Sequence, residues 1–200
     1  LRRKTGLGMM DCKKALVEAD GDMDKAVKIL REKGLATAAK KEGRIAAEGL
    51  VDILSENGVT AIIEVNTETD FVAKNESFRK FVKGLLKTLV ETKPADLETF
   101  MNTVYAGSTD TVSAELVNQI AVIGEKISIR RFCLVEGTVS TYIHGNGTTG
   151  VIVKFDVDDS IKNTPAFAEY AKNIALQIAA GNPPKYVNKD EVPQGEIDEE

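Results

Sequence analysis

Apolar positions change period several times along the chain, and each change marks an expected element. In the first 45 residues the spacing is helical: Met10, Leu16 and Val17 fall on one stripe, and Gly21-Asp22 breaks it. Asp22 suits the N-cap of a second helix running to about Lys33, with Ala26, Val27, Ile29 and Leu30 inward and Gly34 as its stop. A short Ala-rich helix from Leu35 to Lys41 follows, and Lys40-Lys41-Glu42-Gly43-Arg44 reads as a polar linker. The middle switches to period two. Val51 and Ile53, then Val59, Ala61, Ile63 and Val65, alternate with other residues on either side of Asn57-Gly58, a hairpin turn signal. Phe78, Phe81, Val82, Leu85, Leu86 and Leu89 return to helical spacing, as do Val112, Leu116, Ile120 and Ile123 before a stop at Gly124. Lys126 to Glu136 predicts a strand whose phase changes near Arg130-Arg131, the mark of a bulge. Val139 to His144 and Gly150 to Asp156 predict a second hairpin around Gly145-Asn146-Gly147. Thr164-Pro165 opens a final helix with Phe167, Ala171, Ile174 and Ile178 as its stripe. This order predicts an α+β fold: a helical amino-terminal module, then an antiparallel sheet covered by helices.

Composition narrows the class. Of the 200 residues 42% are apolar and 28% charged, enough for a sizeable core and an ordinary surface. No apolar run approaches the roughly 20 residues of a membrane span, and no secretory leader is recognised at the start. Cys12 and Cys133 lie far apart without metal spacing, as suits a reducing cytosol, and His144 is the single histidine. A membrane protein, a disulfide scaffold and a zinc protein are therefore not expected. The net charge of −5 is uneven: residues 1–44 carry 12 Lys/Arg against 7 Asp/Glu, while residues 186–200 carry 1 against 6. A basic head is compatible with nucleic acid. Its lysines are spread over amphipathic helices without interleaved aromatics, so a solvated face or an acidic protein partner is the reading preferred. The acidic end reads as a solvated tail or the start of a further helix.

No catalytic constellation emerges. There is no phosphate-binding glycine loop, no nucleophile elbow and no H-E-x-x-H. Cys12 reads as a small residue near the surface of a helix, and His144 as a turn or contact residue. The informative segment is Asn66-Thr67-Glu68-Thr69-Asp70-Phe71-Val72-Ala73-Lys74-Asn75, a corner from an apolar strand into a helix. Two readings stay open there. In one, Thr69 or Asp70 caps the helix and Phe71 packs beneath it; in the other, the corner presents an aromatic wedge beside a carboxylate to a partner.

Four ordered motifs carry a resemblance. Thr5-Gly6-Leu7-Gly8-Met9-Met10-Asp11-Cys12-Lys13-Lys14-Ala15-Leu16, with Gly21-Asp22 and Ala26, closely resembles the amino-terminal signature of the bacterial elongation factor Ts family. Glu64-Val65-Asn66 with Glu68-Thr69-Asp70-Phe71-Val72-Ala73 is similar to its second signature. Ile123-Gly124-Glu125-Lys126-Ile127-Ser128-Ile129-Arg130-Arg131 resembles its third, and Tyr142-Ile143-His144 its fourth.

The resemblance implies a guanine-nucleotide exchange factor for elongation factor Tu, with no covalent catalysis, no cofactor and no metal of its own. It implies a three-helix module like a ubiquitin-associated domain over 1–45, core subdomains over 46–136 and 137–185, and an acidic tail or the start of a helical hairpin over 186–200. In the family, the corner matching Thr69, Asp70, Phe71 and Val72 enters the nucleotide-binding domain of Tu and disturbs its Mg²⁺ site. Met9, Met10, Ile123, Gly124 and His144 match further contact positions. The implied partner is Tu in its GDP-bound and nucleotide-free states, in the cytoplasm, with a homodimer or 2:2 complex open and neither nucleic acid nor membrane bound directly. Leu1-Arg2-Arg3-Lys4 looks like the end of the family's first helix, so a short-type member and a trimmed fragment are both open. Leu7 stands where a smaller residue is commoner and Thr67 where a cysteine is frequent, so no thiol role is carried over. Two other classes are weighed: an adaptor binding through residues 1–45, and a nucleic-acid binder using the basic head.

Overall fold

A computed structural model describes residues 1–181 and 183–198. The amino-terminal module comprises α1 (Arg2–Thr5), α2 (Met9–Glu18) and α3 (Met23–Lys41). Asp22 caps α3 as expected, its Oδ1 accepting from the amides of Asp24 at 2.9 Å and Lys25 at 3.0 Å. Three expectations for this module are corrected. First, α3 does not stop at Gly34 but runs on through the Ala-rich segment, so Lys40 and Lys41 are helical and only Glu42–Arg44 remains as linker. Gly34 is buried against α7 (Val112–Ile123), where a Cβ would lie 3.5 Å from Val117 and 3.7 Å from Ala121. The glycine thus marks a close approach of two helices rather than a helix end.

Second, the buried side of α2 is Cys12 and Ala15, with Ala19 just beyond, while Met10 and Val17 are exposed. Small side chains let α2 lie close to Ala26 and Leu30 of α3, and the bulky ones point outward. Third, Cys12 is not near the surface: its thiol is buried, 3.7 Å from Thr5 Oγ1 and 3.8 Å from the Leu7 carbonyl.

The core begins with β1 (Glu48–Glu56) and β2 (Val59–Thr67), joined by the expected turn, in which Asn57 and Gly58 both have positive φ. β3 (Ile127–Glu136) pairs with the other edge of β2. The expected bulge is present: Glu64 pairs with Arg131 and Val65 with Ile129, so Arg130 has no opposite residue. Val59, Ala61, Ile63 and Val65 are buried beneath α5 (Glu76–Thr92). α5 is capped by the Asn75 side chain and buries all six apolar positions its spacing marked. Leu50 of β1 joins that layer. Val51 and Ile53 pair with Glu64 and Ile62 on the opposite face, so β1 is covered on both sides.

α6 (Leu97–Asn102) is an element that periodicity missed. Six residues are too few for a stripe; Asp96 caps it, and its Phe100 is fully buried against Phe132 at a ring separation of 5.3 Å. α7 starts at its Thr111 cap and closes at Gly124.

β4 (Thr138–His144) and β5 (Thr149–Phe155) form the expected second hairpin, as a separate two-stranded antiparallel sheet. The hairpin meets the first sheet through its turn and one face. Gly147 O accepts from the Val51 amide at 2.7 Å, and Arg79 of α5 donates to Asn146 O at 2.9 Å. α8 (Pro165–Ala180), capped by Thr164, covers the hairpin with Ala171 and Ala175, while Phe167, Ile174 and Ile178 are half-buried. In the acidic end, a 3-10 turn spans Lys189–Glu191 and α9 spans Gln194–Asp198; Glu199 and Glu200 lie outside the described residues. Among the described residues no helix is long and apolar enough to cross a membrane.

Gly147 is where the two sheets are sewn together. Its φ is +103°, and a Cβ there would sit 2.1 Å from Leu50 Cδ1 and 2.9 Å from Val51 O. Gly147→Ala combines overpacking with a left-handed backbone, so we expect a loss of about 2–4 kcal/mol. Urea unfolding checks this: the midpoint should fall while the slope is unchanged.

Candidate functional site

β2 ends at Thr67, whose buried hydroxyl donates to the Thr69 carbonyl at 2.9 Å and bends the chain out of the sheet. One turn of helix, α4 (Asp70–Ala73), fills the corner before Asn75 caps α5. Val72 and Ala73 are buried and pin that turn to the sheet. Phe71, on its other side, is 81% exposed. The reading in which Phe71 packs beneath the helix is therefore overturned, because the inward positions of so short a turn are already filled by Val72 and Ala73.

Neither Thr69 nor Asp70 caps α4 with its side chain. Thr69 holds the N-cap position, but its hydroxyl donates to Glu125 Oε1 at 2.7 Å and its amide to Glu125 Oε2 at 3.0 Å. Asp70 pairs with Lys74 at 2.5 Å, and that hydrogen bond holds its carboxyl below the usual aspartate range. A second carboxylate runs the other way: Glu68 Oε1 accepts from the Lys126 amide at 2.6 Å. The Arg44 guanidinium approaches Glu68 at 3.2 Å from the linker. The Lys126 amide, helped by Arg44, keeps the Glu68 carboxyl below the usual glutamate range. Lys126 Nζ also donates to Glu42 O and Arg44 O, and Lys41 Nζ to Gly124 O. The end of α3, the corner and the α7–β3 turn are thus one hydrogen-bonded knot.

The residues singled out from sequence fall into three places. Thr69, Asp70, Phe71 and Val72 lie beside Ile123 and Gly124, because Glu125 bonds directly to Thr69. Ile123 packs against the main core and Gly124 is exposed with φ +83°. His144 is exposed at the tip of β4, its Nδ1 3.0 Å from Tyr142 Oη. The turn that follows it docks on Val51, opposite Glu64 in the β1–β2 ladder. Met9 and Met10, 67% and 60% exposed, stand on the first turn of α2 in the separate module. Cys12 meets Thr5 and the Leu7 carbonyl, and His144 meets Tyr142. Glu68, Glu125 and Lys126 lie inside the motifs without a role legible from sequence, and Arg44 reads there only as linker. A charged Glu125-Lys126 between apolar runs was the signal available; the partners across the corner were not readable.

Among the described residues no three His, Cys, Asp or Glu are grouped to hold a metal ion. The arrangement offers an exposed apolar side chain on a backbone held by hydrogen bonds, which is suited to binding.

The family model described as Elongation factor TS matches residues 68–200. The elongation factor Ts of Syntrophotalea carbinolica is 49% identical over 203 residues, covering 100% of this chain and 66% of that protein. That of Clostridium kluyveri is 48% identical over 206 residues, with the same shares. That of Clostridioides difficile is 48% identical over 196 residues, covering 96% of this chain and 63% of that protein. The chain therefore spans just under two thirds of the length of these curated relatives.

The Glu68 bonds give the corner a pH dependence of defined sign. A carboxyl held below its usual range stabilises the folded knot above the ordinary glutamate range and loses that contribution as pH falls through its lowered value. In an NMR titration the Lys126 amide shift should follow Glu68 with a midpoint below the ordinary glutamate range, and Arg44→Ala should move that midpoint upward.

Proposed function

The chain belongs to the elongation factor Ts family, and on that premise we propose that it is a translation elongation factor acting in the cytoplasm as the guanine-nucleotide exchange factor of elongation factor Tu. It binds Tu in the GDP-bound and nucleotide-free states and promotes GDP release so that GTP can enter. The observation that carries this reading is Phe71, 81% exposed on a turn whose neighbours Val72 and Ala73 are buried. A large aromatic left in water forgoes about 2 kcal/mol of burial, and a rigid corner is where a partner can recover it.

The mechanism needs no covalent step. A nucleotide and an exchange factor with opposed preferences for the conformations of one protein weaken each other's binding equally. Phe71 wedges between side chains of the Tu nucleotide-binding domain and shifts the loops around Mg²⁺ and the phosphates. With the cation loosened, phosphate charge is less compensated and GDP leaves faster. Asp70 remains charged beside the wedge, held by Lys74. Met9 and Met10 add an apolar contact from the module, Ile123 and Gly124 flank the corner, and His144 adds a contact from the second hairpin. The complex forms with one chain per Tu or as a 2:2 assembly, which light scattering distinguishes.

Release of a fluorescent GDP analogue from Tu tests the proposal: this chain should accelerate it at substoichiometric amounts. Phe71→Ala should fold normally by circular dichroism yet lose about 2 kcal/mol or more of complex stability, roughly 30-fold in affinity, with a matching fall in exchange. Unchanged exchange by the folded variant removes the corner from the mechanism.

A further inference from the structure

A threonine in front of a helix ordinarily turns its hydroxyl onto the amides of that helix's first turn. Thr69 stands in that position with extended backbone, φ −126° and ψ 153°, yet no side-chain bond caps α4. Both of its donors are instead given to one carboxylate from a distant part of the chain, the hydroxyl to Glu125 Oε1 at 2.7 Å and the amide to Oε2 at 3.0 Å. Glu125 is itself immobilised. It sits between Gly124, whose carbonyl accepts from Lys41 Nζ, and Lys126, whose amide donates to Glu68 and whose ammonium donates to Glu42 O and Arg44 O. The two strands of chain therefore clasp each other reciprocally, Glu68 to residue 126 and Glu125 to residue 69.

Two bonds to a single residue fix direction as well as position. Thr69 is two residues ahead of Phe71, so the Glu125 carboxylate sets the angle at which α4 leaves the sheet. Burial of Val72 and Ala73 and the Thr67 hydroxyl bond to Thr69 O hold α4 against the sheet, and the Glu125 carboxylate adds the two bonds that reach the corner from the α7–β3 turn. A local capping rule set aside in favour of a long-range contact is what a site built for function looks like.

We infer that Glu125 is a positioning residue: by accepting both donors of Thr69 it keeps the corner in the orientation that projects Phe71, and so sets the fraction of molecules ready to engage the partner. This rests on the exchange reading above. Glu125 makes no contact in the mechanism; it acts through Thr69. Its loss therefore lowers the competent fraction rather than the rate once bound. Apparent affinity falls in proportion to that fraction, and freeing the backbone of one residue corresponds to about tenfold in population.

The chain contains no tryptophan, so Phe71→Trp creates a reporter confined to the corner. In that background Glu125→Ala should increase the amplitude of the fast component in time-resolved anisotropy. Glu125→Gln should restore it, because its amide oxygen accepts from the Thr69 amide and its NH₂ donates to the Thr69 hydroxyl. In nucleotide release, with Phe71 in place, Glu125→Ala should raise the half-saturating concentration about tenfold and leave the plateau rate unchanged, with Glu125→Gln again near wild type. Should Glu125→Ala fail to fold, Thr69→Val deletes only the hydroxyl donor and carries the anisotropy comparison, where it too should increase the fast component.

Anisotropy unchanged by Glu125→Ala overturns the inference. So does a loosened corner whose half-saturating concentration does not move while Phe71→Ala still impairs exchange, and so does a Gln variant as damaged as the Ala variant. Absence of any release by the wild-type chain overturns the exchange reading instead, and the anisotropy comparison still tests whether Glu125 holds the corner.

Discussion

An exposed phenylalanine contributes nothing to its own placement, so the corner depends on what holds the backbone around it. That is the pair of carboxylates at Glu68 and Glu125, each accepting a main-chain amide from the segment opposite. Charge-assisted bonds to backbone amides are stronger than neutral ones and need no second long side chain to be ordered. The exposed Lys74–Asp70 pair is a different case. It lies within one helical turn, is open to solvent, and adds little fixation of its own.

The knot extends past the corner. Lys41 at the end of α3, together with Arg44 and Lys126, ties the exit of the amino-terminal module to the α7–β3 turn. Higher up, α3 lies on α7 across Gly34, with Arg31 paired to Asp110 at 2.6 Å. The module is thus attached at the middle and at the carboxy-terminal end of its longest helix, and the surface bearing Met9 and Met10 shares a frame with the surface bearing Phe71. Inside the module the contacts are made by Ala15, Ala19, Ala26 and Cys12. Small side chains bring the helices close and leave Met9, Met10 and Val17 outside. Exposed apolar side chains in such numbers are the ordinary mark of an interface, which is how the proposed role uses two of them.

The second hairpin follows from a different constraint. β1 carries apolar side chains on both faces, Leu50 toward α5 and Val51 and Ile53 away from it, so a single covering layer cannot bury it. The β4–β5 hairpin closes part of the second face with the start of β5 and abuts the β1 edge with its turn. It can do so only because Gly147 and Gly150 present no side chain where Leu50, Val51 and Ile62 already stand.

What local sequence determined is what local physics controls. Period and capping chemistry marked β2, α5, α7 and α8, the Asn57-Gly58 turn and the bulge at Arg130, since each is set by neighbours within a few residues. The motif residues that carry the family resemblance located the corner. What only the tertiary structure decided is which partner each ambiguous residue meets. Gly34 reads as a helix stop until α7 is found against it, and Met10 and Val17 read as core until alanines are found to fill the interface. Asp96 and Phe100 define a helix too short for any period to register. Thr69 reads as a cap until Glu125 takes both its donors, and Phe71 reads as packed until Val72 and Ala73 occupy the space. For Gly34 and Thr69 the outcome rests on a contact between segments far apart in the chain, and a local pattern carries no record of what stands opposite.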